Sequence, residues 1–349
     1  MSSMRKFVAV ILAGGKGQRF WPLSTSDKPK QFLDLTQCGR TLIQATFDRI
    51  LSLTGGPETI LVATAGEYEA LVRAQLPELP ENNLLIEPVS RDSAPAIALT
   101  SLELRQRYGD VTTGFFPSDH SIGQPNKFRR TLQNAINLSE KENSLITIGI
   151  NPTRPATGYG YIEKGLPSGP GFRIKGFFEK PDLNDAKTYL ATNRYIWNSG
   201  IFVWPVDTIL EELDRHAPEL MTPLRRAFKQ KRVAEIFPNL KKISIDHAVM
   251  EHTNKAYVIP SEFEWDDIGD WLALERLFKQ NDPEDNTVLG RHIGFETSRS
   301  VIYSENPDDV IVTLGVNDLI VIKRGNAVLV MNKEHEQDIK EIINDALVT

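Results

Sequence analysis

The sequence of 349 residues has a single cysteine, Cys38, so no internal disulfide framework can form. A reducing compartment, the cytoplasm, is the expected setting, and Cys38 reads as a bystander rather than a nucleophile. Long apolar runs are also lacking. The run Phe7 to Ala13 falls far short of the ~20 residues that a membrane span requires, and no later run is long enough. Arg5 and Lys6 precede it as in a signal peptide, but the glycines and charges that follow mark a buried first strand. No basic block stands out, and the net charge is −6, so neither nucleic acid nor a membrane is an expected partner. The 6 histidines form no metal or triad pattern. His247 and Glu251-His252 miss the zinc-protease spacing, His120 reads as a loop-shaping residue, and no G-x-S-x-G elbow occurs.

What is present is an ordinary globular composition, 40% hydrophobic and 25% charged. The first half alternates short β-branched runs with amphipathic stretches. Strands are expected at Phe7–Leu12, Thr59–Ala63, Asn83–Glu87 and Val111–Phe116, and helices at Thr41–Ser52, Glu67–Ala74 and Ser93–Gln106. This rhythm predicts an α/β domain, Rossmann-like, with a mixed, mostly parallel sheet covered by helices on both faces. Ligands of such sheets sit beyond the carboxyl ends of the strands. The middle is more mixed, with strands expected at Ile146–Ile150, Phe172–Glu179 and Gly200–Trp204 and helices at Asp185–Thr192 and Val206–His216. A polar linker is expected over Lys279–Asn286. Beyond it, β-branched runs at Ser300–Tyr303, Val310–Thr313, Leu319–Ile322 and Ala327–Met331 recur at regular spacing. They predict a small β-rich domain, short and β-helix-like, closed by a helix bearing Ile339, Ile342, Ile343, Ala346 and Leu347 on one face. Two domains follow, residues 1–285 and 286–349.

Four motifs carry chemistry. Residues 12–23, LAGGKGQRFWPL, place glycines directly after the first strand, where backbone N–H groups can approach an anion. The spacing is neither Walker A nor GxGxxG, which sets aside a dinucleotide-dependent oxidoreductase. Arg19 and Lys30, the latter in PKQF, add two cations suited to a transferring phosphoryl group. PSDH (117–120) puts Asp119 at a strand's carboxyl end, a place for Mg²⁺ or for a turn aspartate. FEWDDIGDW (263–271) offers Asp266, Asp267 and Asp270, as metal ligands or as helix caps. TGYGYIEK (157–164), FFEKP (177–181) and WNSG (197–200) mix glycine, carboxylate, lysine and amide, groups that read sugar hydroxyls and phosphate.

Taken in order, these motifs resemble the mannose-1-phosphate guanylyltransferases, together with EPVSRDSAPAIAL (87–99), SIDHAVME (244–251) and WDDIG. The resemblance covers nearly the whole chain. It implies that GTP and mannose 1-phosphate bind together, that a sugar-phosphate oxygen attacks the α-phosphorus in line, and that GDP-mannose and pyrophosphate leave. By motif position, the nucleotide falls to Leu12, Ala13, Gly14, Gly15, Gly17, Arg19, Lys30, Glu87, Arg91 and Ser93. Arg19 and Lys30 take the triphosphate, and Glu87 or nearby backbone carbonyls accept from guanine. Gly160, Glu179 and Asn198 meet the mannose, Lys180 its phosphate, and Asp119 and Asp267 the Mg²⁺. Arg19, Lys30 and Lys180 are the implied catalytic residues. Asp92-Ser93 and Asp266 depart from the family's usual Asn-Thr and Ser. Longer relatives carry a fused cupin-type isomerase domain, for which the sequence leaves no room, so a single activity is expected. Another hexose or heptose 1-phosphate remains the alternative substrate, and the apolar β-rich domain is expected to serve a homodimer.

Overall fold

The computed structural model describes residues 5–15, 17–278, 282, 284–339 and 341–342. Lys16, much of the expected linker and most of the expected closing helix lie outside the described residues. The chain resolves into two compact units. One comprises the segment ending at Gly14, Thr46–Ser118 and Ile122–Trp265; the other comprises Gly15–Ala45, Asp119–Ser121 and the chain from Asp266 onward.

The first unit is built on a nine-stranded sheet. Its leading strands are β1 (Phe7–Leu12), β2 (Ile60–Ala65), β3 (Leu84–Glu87) and β4 (Thr112–Pro117). After the short β5 (Ser121–Ile122) come β6 (Leu145–Ile150), β7 (Tyr161–Ser168), β8 (Gly171–Phe178), β9 (Tyr195–Pro205) and β10 (Ala256–Pro260). The short β11 (Trp265–Asp266) follows. The order is β3-β2-β1-β4-β9-β6-β10-β8-β7, and β7 also pairs with β9. β1, β2, β3 and β4 are mutually parallel, as are β6 and β10, whereas β8 and β9 are antiparallel to each of their partners. The sheet is thus mixed and mostly parallel, as the sequence predicts.

β1 is an interior strand, flanked by β2 and β4, for a simple reason. Val8, Ala9, Val10 and Ile11 are all fully buried, and a continuous apolar run suits a strand covered on both faces. Two helices that the sequence reading leaves unmarked, Pro125–Glu142 and Pro218–Lys229, also belong to this unit. Both start with proline in the first turn, where its missing N–H costs nothing. Polar residues, among them Arg129, Arg130, Gln133, Asn134 and Asn137, separate the buried positions Phe128, Leu132, Ala135 and Leu138, and Pro223 lies inside the second helix.

The second unit contains β12 (Thr287–Leu289), β13 (Arg291–Phe295), β14 (Val301–Ser304), β15 (Val310–Leu314), β16 (Leu319–Arg324) and β17 (Ala327–Asn332). β12, β14 and β16 form one parallel ladder and β13 and β15 another, with β17 closing the first ladder antiparallel. Parallel ladders of successive short strands are the rungs of a short β-helix. The glycine-rich segment is built into this unit. Phe20, Leu23 and Leu35 share a core with Trp271, Val301, Ile320 and Ile322. Phe20 lies 5.1 Å from Trp271, and Arg324 donates to the carbonyl of Pro22 at 2.8 Å. Each large apolar side chain buried this way contributes roughly 1.5–3 kcal/mol, so the loop that follows β1 is anchored rather than free.

Candidate active site

In the second unit three motifs meet at one ammonium group. Lys30 Nζ lies 2.9 Å from Asp119 Oδ2 and donates to the carbonyls of Asp267 at 3.0 Å and Ile268 at 2.8 Å. An ammonium has three hydrogens, so all are spent, and a phosphate reaching Lys30 must replace one of these acceptors. Burial alone would raise the Asp119 carboxyl, but the Lys30 ammonium and His120 outweigh it and hold Asp119 below its ordinary value.

The glycine loop leans on the same lysine. Gly17 has φ +58°, and a Cβ there would come 2.8 Å from the backbone nitrogen of Lys30. The Gly17 carbonyl accepts from the Ser24 hydroxyl, and the Gly15 carbonyl accepts from Gln31 Nε2 at 2.8 Å. Gln31 is 1% exposed. Sequence reasoning missed both roles, although Gln31 lies inside PKQF. Arg19 donates Nη1 to the Gly269 carbonyl at 3.3 Å, while its Nε is buried with no hydrogen-bond partner.

The two adjacent aspartates take different partners. Asp266 is gripped by Arg276 at 2.6 and 3.1 Å and also takes the N–H of Ile268 at 2.8 Å. Asp267 accepts the N–H of Gly269 at 3.1 Å. Asp270 accepts the N–H of Ala273 at 2.9 Å, two residues before helix Leu272–Leu277 begins. Among the described residues no three His, Cys, Asp or Glu side chains form a metal cage. Magnesium needs none, because it takes one or two carboxylates and draws its other ligands from phosphate and water; Asp119 and Asp267 fit that donor set.

In the first unit, Leu12 ends β1 and Ala13 continues it, donating its N–H to Ala63 and accepting from the Thr64 hydroxyl at 2.9 Å. Gly14 follows; a Cβ on it would lie 3.6 Å from Glu87 Oε1. Glu87 ends β3 at 5% exposure, and burial pushes its carboxyl up to about 7. Arg91 and Ser93 each hold a distant backbone group. Arg91 donates to the Pro238 carbonyl, and the Ser93 hydroxyl accepts the N–H of Ile245 at 2.8 Å. Asp92, at φ +71°, accepts the Ser93 N–H at the start of helix Ser93–Tyr108.

The four expected sugar residues do come together. Gly160 O accepts the backbone N–H of Asn198 at 2.8 Å. Glu179 Oε2 would lie 2.6 Å from a Cβ on residue 160, so the glycine leaves room for that carboxylate. Glu179 Oε1 holds Lys180 Nζ at 2.7 Å, and Lys180 sits at φ +48°. Asp246, unassigned by sequence reasoning although it lies in SIDHAVME, accepts from Asn198 Nδ2 at 3.0 Å. Burial, reinforced by the Glu179 charge, pushes the Asp246 carboxyl up to about 7.

A nucleotidyl transferase family model matches residues 8–283, and a mannoseP isomerase/GMP-like β-helix domain matches residues 290–345. The chain is 33% identical to a mannose-1-phosphate guanylyltransferase of Escherichia coli, covering 96% of this chain and 75% of that protein. It is 35% identical to a mannose-1-phosphate guanylyltransferase of Salmonella muenchen, covering 98% and 73%. A crystal structure from Thermus thermophilus, described as a mannose-1-phosphate geranyltransferase, superposes with TM-score 0.89 at 37% identity, covering 97% of this chain and 99% of that one.

Proposed function

The chain belongs to the nucleotidyl transferase family, among the mannose-1-phosphate guanylyltransferases, and we propose that it transfers GMP from GTP to α-D-mannose 1-phosphate, giving GDP-mannose and pyrophosphate. The observation that carries this reading is the convergence of PKQF, PSDH and WDDIG on Lys30 Nζ.

The step is a direct displacement. A mannose 1-phosphate oxygen attacks the α-phosphorus of GTP, and the bond to the β-phosphate oxygen breaks as pyrophosphate leaves. No enzyme nucleophile takes part, so catalysis is positioning and charge neutralisation. The glycine loop with Arg19 and Lys30 holds the triphosphate. Lys180 holds the sugar phosphate, and Gly160, Glu179 and Asn198 the mannose. Glu87, once ionised, accepts from the N1–H and N2–H donors of guanine. Asp119 and Asp267 would hold Mg²⁺, which would supply neutralisation of phosphate charge. Arg91 and Ser93 serve the nucleotide segment indirectly, through their bonds to residues 238 and 245.

The enzyme works in the cytoplasm, the compartment that a lone cysteine suits. No helix among the described residues is long and apolar enough to cross a membrane. Its homodimer forms through the β-rich unit, where Ile293, Phe295, Val312 and Leu314 face outward at 62–69% exposure. Light scattering on Ile293→Glu with Leu314→Glu tests this; an unchanged dimer mass refutes it.

The activity is tested by offering the purified protein GTP with mannose 1-phosphate and, separately, other triphosphates with other hexose and heptose 1-phosphates. Pyrophosphate release from another pair, with none from GTP and mannose 1-phosphate, overturns the reading.

A further inference from the structure

We infer that Asp246 is a positioning residue for the sugar phosphate, one that fixes the carboxamide of Asn198 so that it offers the substrate a single N–H and no acceptor. The inference rests on the reading of Gly160, Glu179, Lys180 and Asn198 as the sugar site.

The hydrogen-bond inventory carries it. A carboxamide has two donors on nitrogen and two lone pairs on oxygen. Asn198 Oδ1 accepts the N–H of Gly200 at 3.2 Å and lies 2.8 Å from the Thr147 hydroxyl. A backbone N–H can only donate, which settles where the amide oxygen lies. On the opposite end, Asn198 Nδ2 gives one hydrogen to Asp246 Oδ1 at 3.0 Å. With the oxygen placed by Gly200, the nitrogen faces Asp246, whose Oδ1 has lone pairs to accept it. Gly200 and Asp246 therefore hold the amide in one of its two orientations from both ends. The Gly200 N–H and the Thr147 hydroxyl, whose one hydrogen is nearer Asn198 than the Ile201 carbonyl at 3.2 Å, cover the oxygen; one N–H is used, and one N–H remains.

Asp246 is itself firmly held. It opens the π-helical turn Asp246–Met250, an irregularity that recurs at functional sites. Just before it, Ile245 donates its N–H to the Ser93 hydroxyl at 2.8 Å, and Ala94 donates its own to the Ile243 carbonyl at 3.1 Å. The turn is thus fastened to the first residues of helix Ser93–Tyr108. The titratable groups facing Asp246 are Glu179, Lys180 and His247. Glu179 is committed through Oε1 to Lys180, so Oε2 is the acceptor it can present. One amide donor beside one carboxylate acceptor suits a hydroxyl that accepts from Asn198 while donating to Glu179, the pattern a pyranose hydroxyl supplies.

The test is steady-state kinetics on Asp246→Ala, Asp246→Asn, Asp246→Glu, Asn198→Ala and the Asp246→Ala/Asn198→Ala double variant, reading KM for mannose 1-phosphate, KM for GTP and kcat. Asp246→Ala is expected to raise KM for mannose 1-phosphate roughly tenfold, the factor that corresponds to about 1.4 kcal/mol, and to leave KM for GTP near its starting value. Asp246→Asn retains an acceptor for Asn198 and should stay within a few-fold of the parent. Asp246→Glu shifts the acceptor by one methylene and should raise the same KM several-fold, a check that stands even if the alanine variant does not fold. The double variant should be no worse than Asn198→Ala alone. Asn198→Ala with a raised KM beside Asp246→Ala or Asp246→Glu with an unchanged one overturns the role of Asp246 alone, as does full additivity in the double variant. An unchanged KM in Asn198→Ala overturns the sugar-site reading beneath it.

Discussion

Lys30 and Asp119 form an ion pair of 2.9 Å in which the lysine side chain is only 12% exposed and its remaining hydrogens go to two main-chain carbonyls. The lysine therefore ties together three turns as well as supplying charge. Lys30→Ala is expected to lower kcat/KM by roughly 2–4 kcal/mol in transition-state stabilisation, the scale of losing one preorganised donor to a developing anion. Pyrophosphate release measures it, and unchanged turnover removes Lys30 from the mechanism.

Gly17 is the glycine of the loop whose replacement the backbone cannot absorb. Its φ of +58° and the 2.8 Å approach of a Cβ to the Lys30 backbone nitrogen both oppose any side chain. Gly17→Ala should cost on the order of 1–3 kcal/mol of stability and raise KM for GTP. Gly15→Ala, where a Cβ meets nothing within 4 Å, should cost far less in thermal melting. Equal losses in the two variants contradict this.

A Cβ at Gly160 lands on the Glu179 carboxylate, 2.6 Å from Oε2. The carboxylate is the movable party, so Gly160→Ala should shift Glu179 and leave the fold intact. KM for mannose 1-phosphate should rise at least several-fold with little change in KM for GTP; a rise in the GTP constant alone refutes the assignment.

Glu87 is raised by burial from 4.5 to about 7. Between those values the native protein keeps a proton that the unfolded chain has released, so stability falls as pH rises through this window. Full ionisation costs about 3 kcal/mol. Glu87→Gln should therefore gain on the parent in melting temperature as pH goes from 5 to 8; a constant difference contradicts the shift. KM for GTP in the parent should fall as pH rises past 7, because only the ionised form accepts both guanine donors.

Asp266 and Asp267 should separate cleanly. Asp266 is bound to Arg276 through both oxygens, so Asp266→Asn should lower stability by about 1–3 kcal/mol and leave the Mg²⁺ concentration needed for half-maximal rate unaltered. Asp267→Asn should raise that concentration without a comparable loss of stability. The reverse pattern assigns the metal to Asp266.

Much of the fold was legible because its signals are local. The buried run Val8–Ile11, the glycines after it and the helix from Ser93 are set by side-chain pattern and backbone freedom within a few residues. Helix Pro125–Glu142 and strands Tyr161–Ser168 and Ala256–Pro260 were not: polar residues separate the helix's apolar positions, charge, glycine and proline interrupt the first strand, and the second is a short run closed by proline, so packing supplied what propensity did not. In the candidate site, the motif glycines and cations were readable as residue types. Arg91 and Ser93 show the limit: a side chain's partner is chosen by residues 147 and 152 positions away.

By itself, then, the sequence determined the β–α rhythm, the place of the glycine loop after β1, the repeated short strands of the β-helix and the order of the motifs. The tertiary structure alone decided that Lys30 spends its hydrogens on Asp119, Asp267 and Ile268, that Asp266 belongs to Arg276, and that Asp246 orients Asn198. The reason is one of range. Glycine freedom and hydrophobic periodicity act between neighbours along the chain, whereas a hydrogen bond is specified only when folding brings donor and acceptor within about 3 Å.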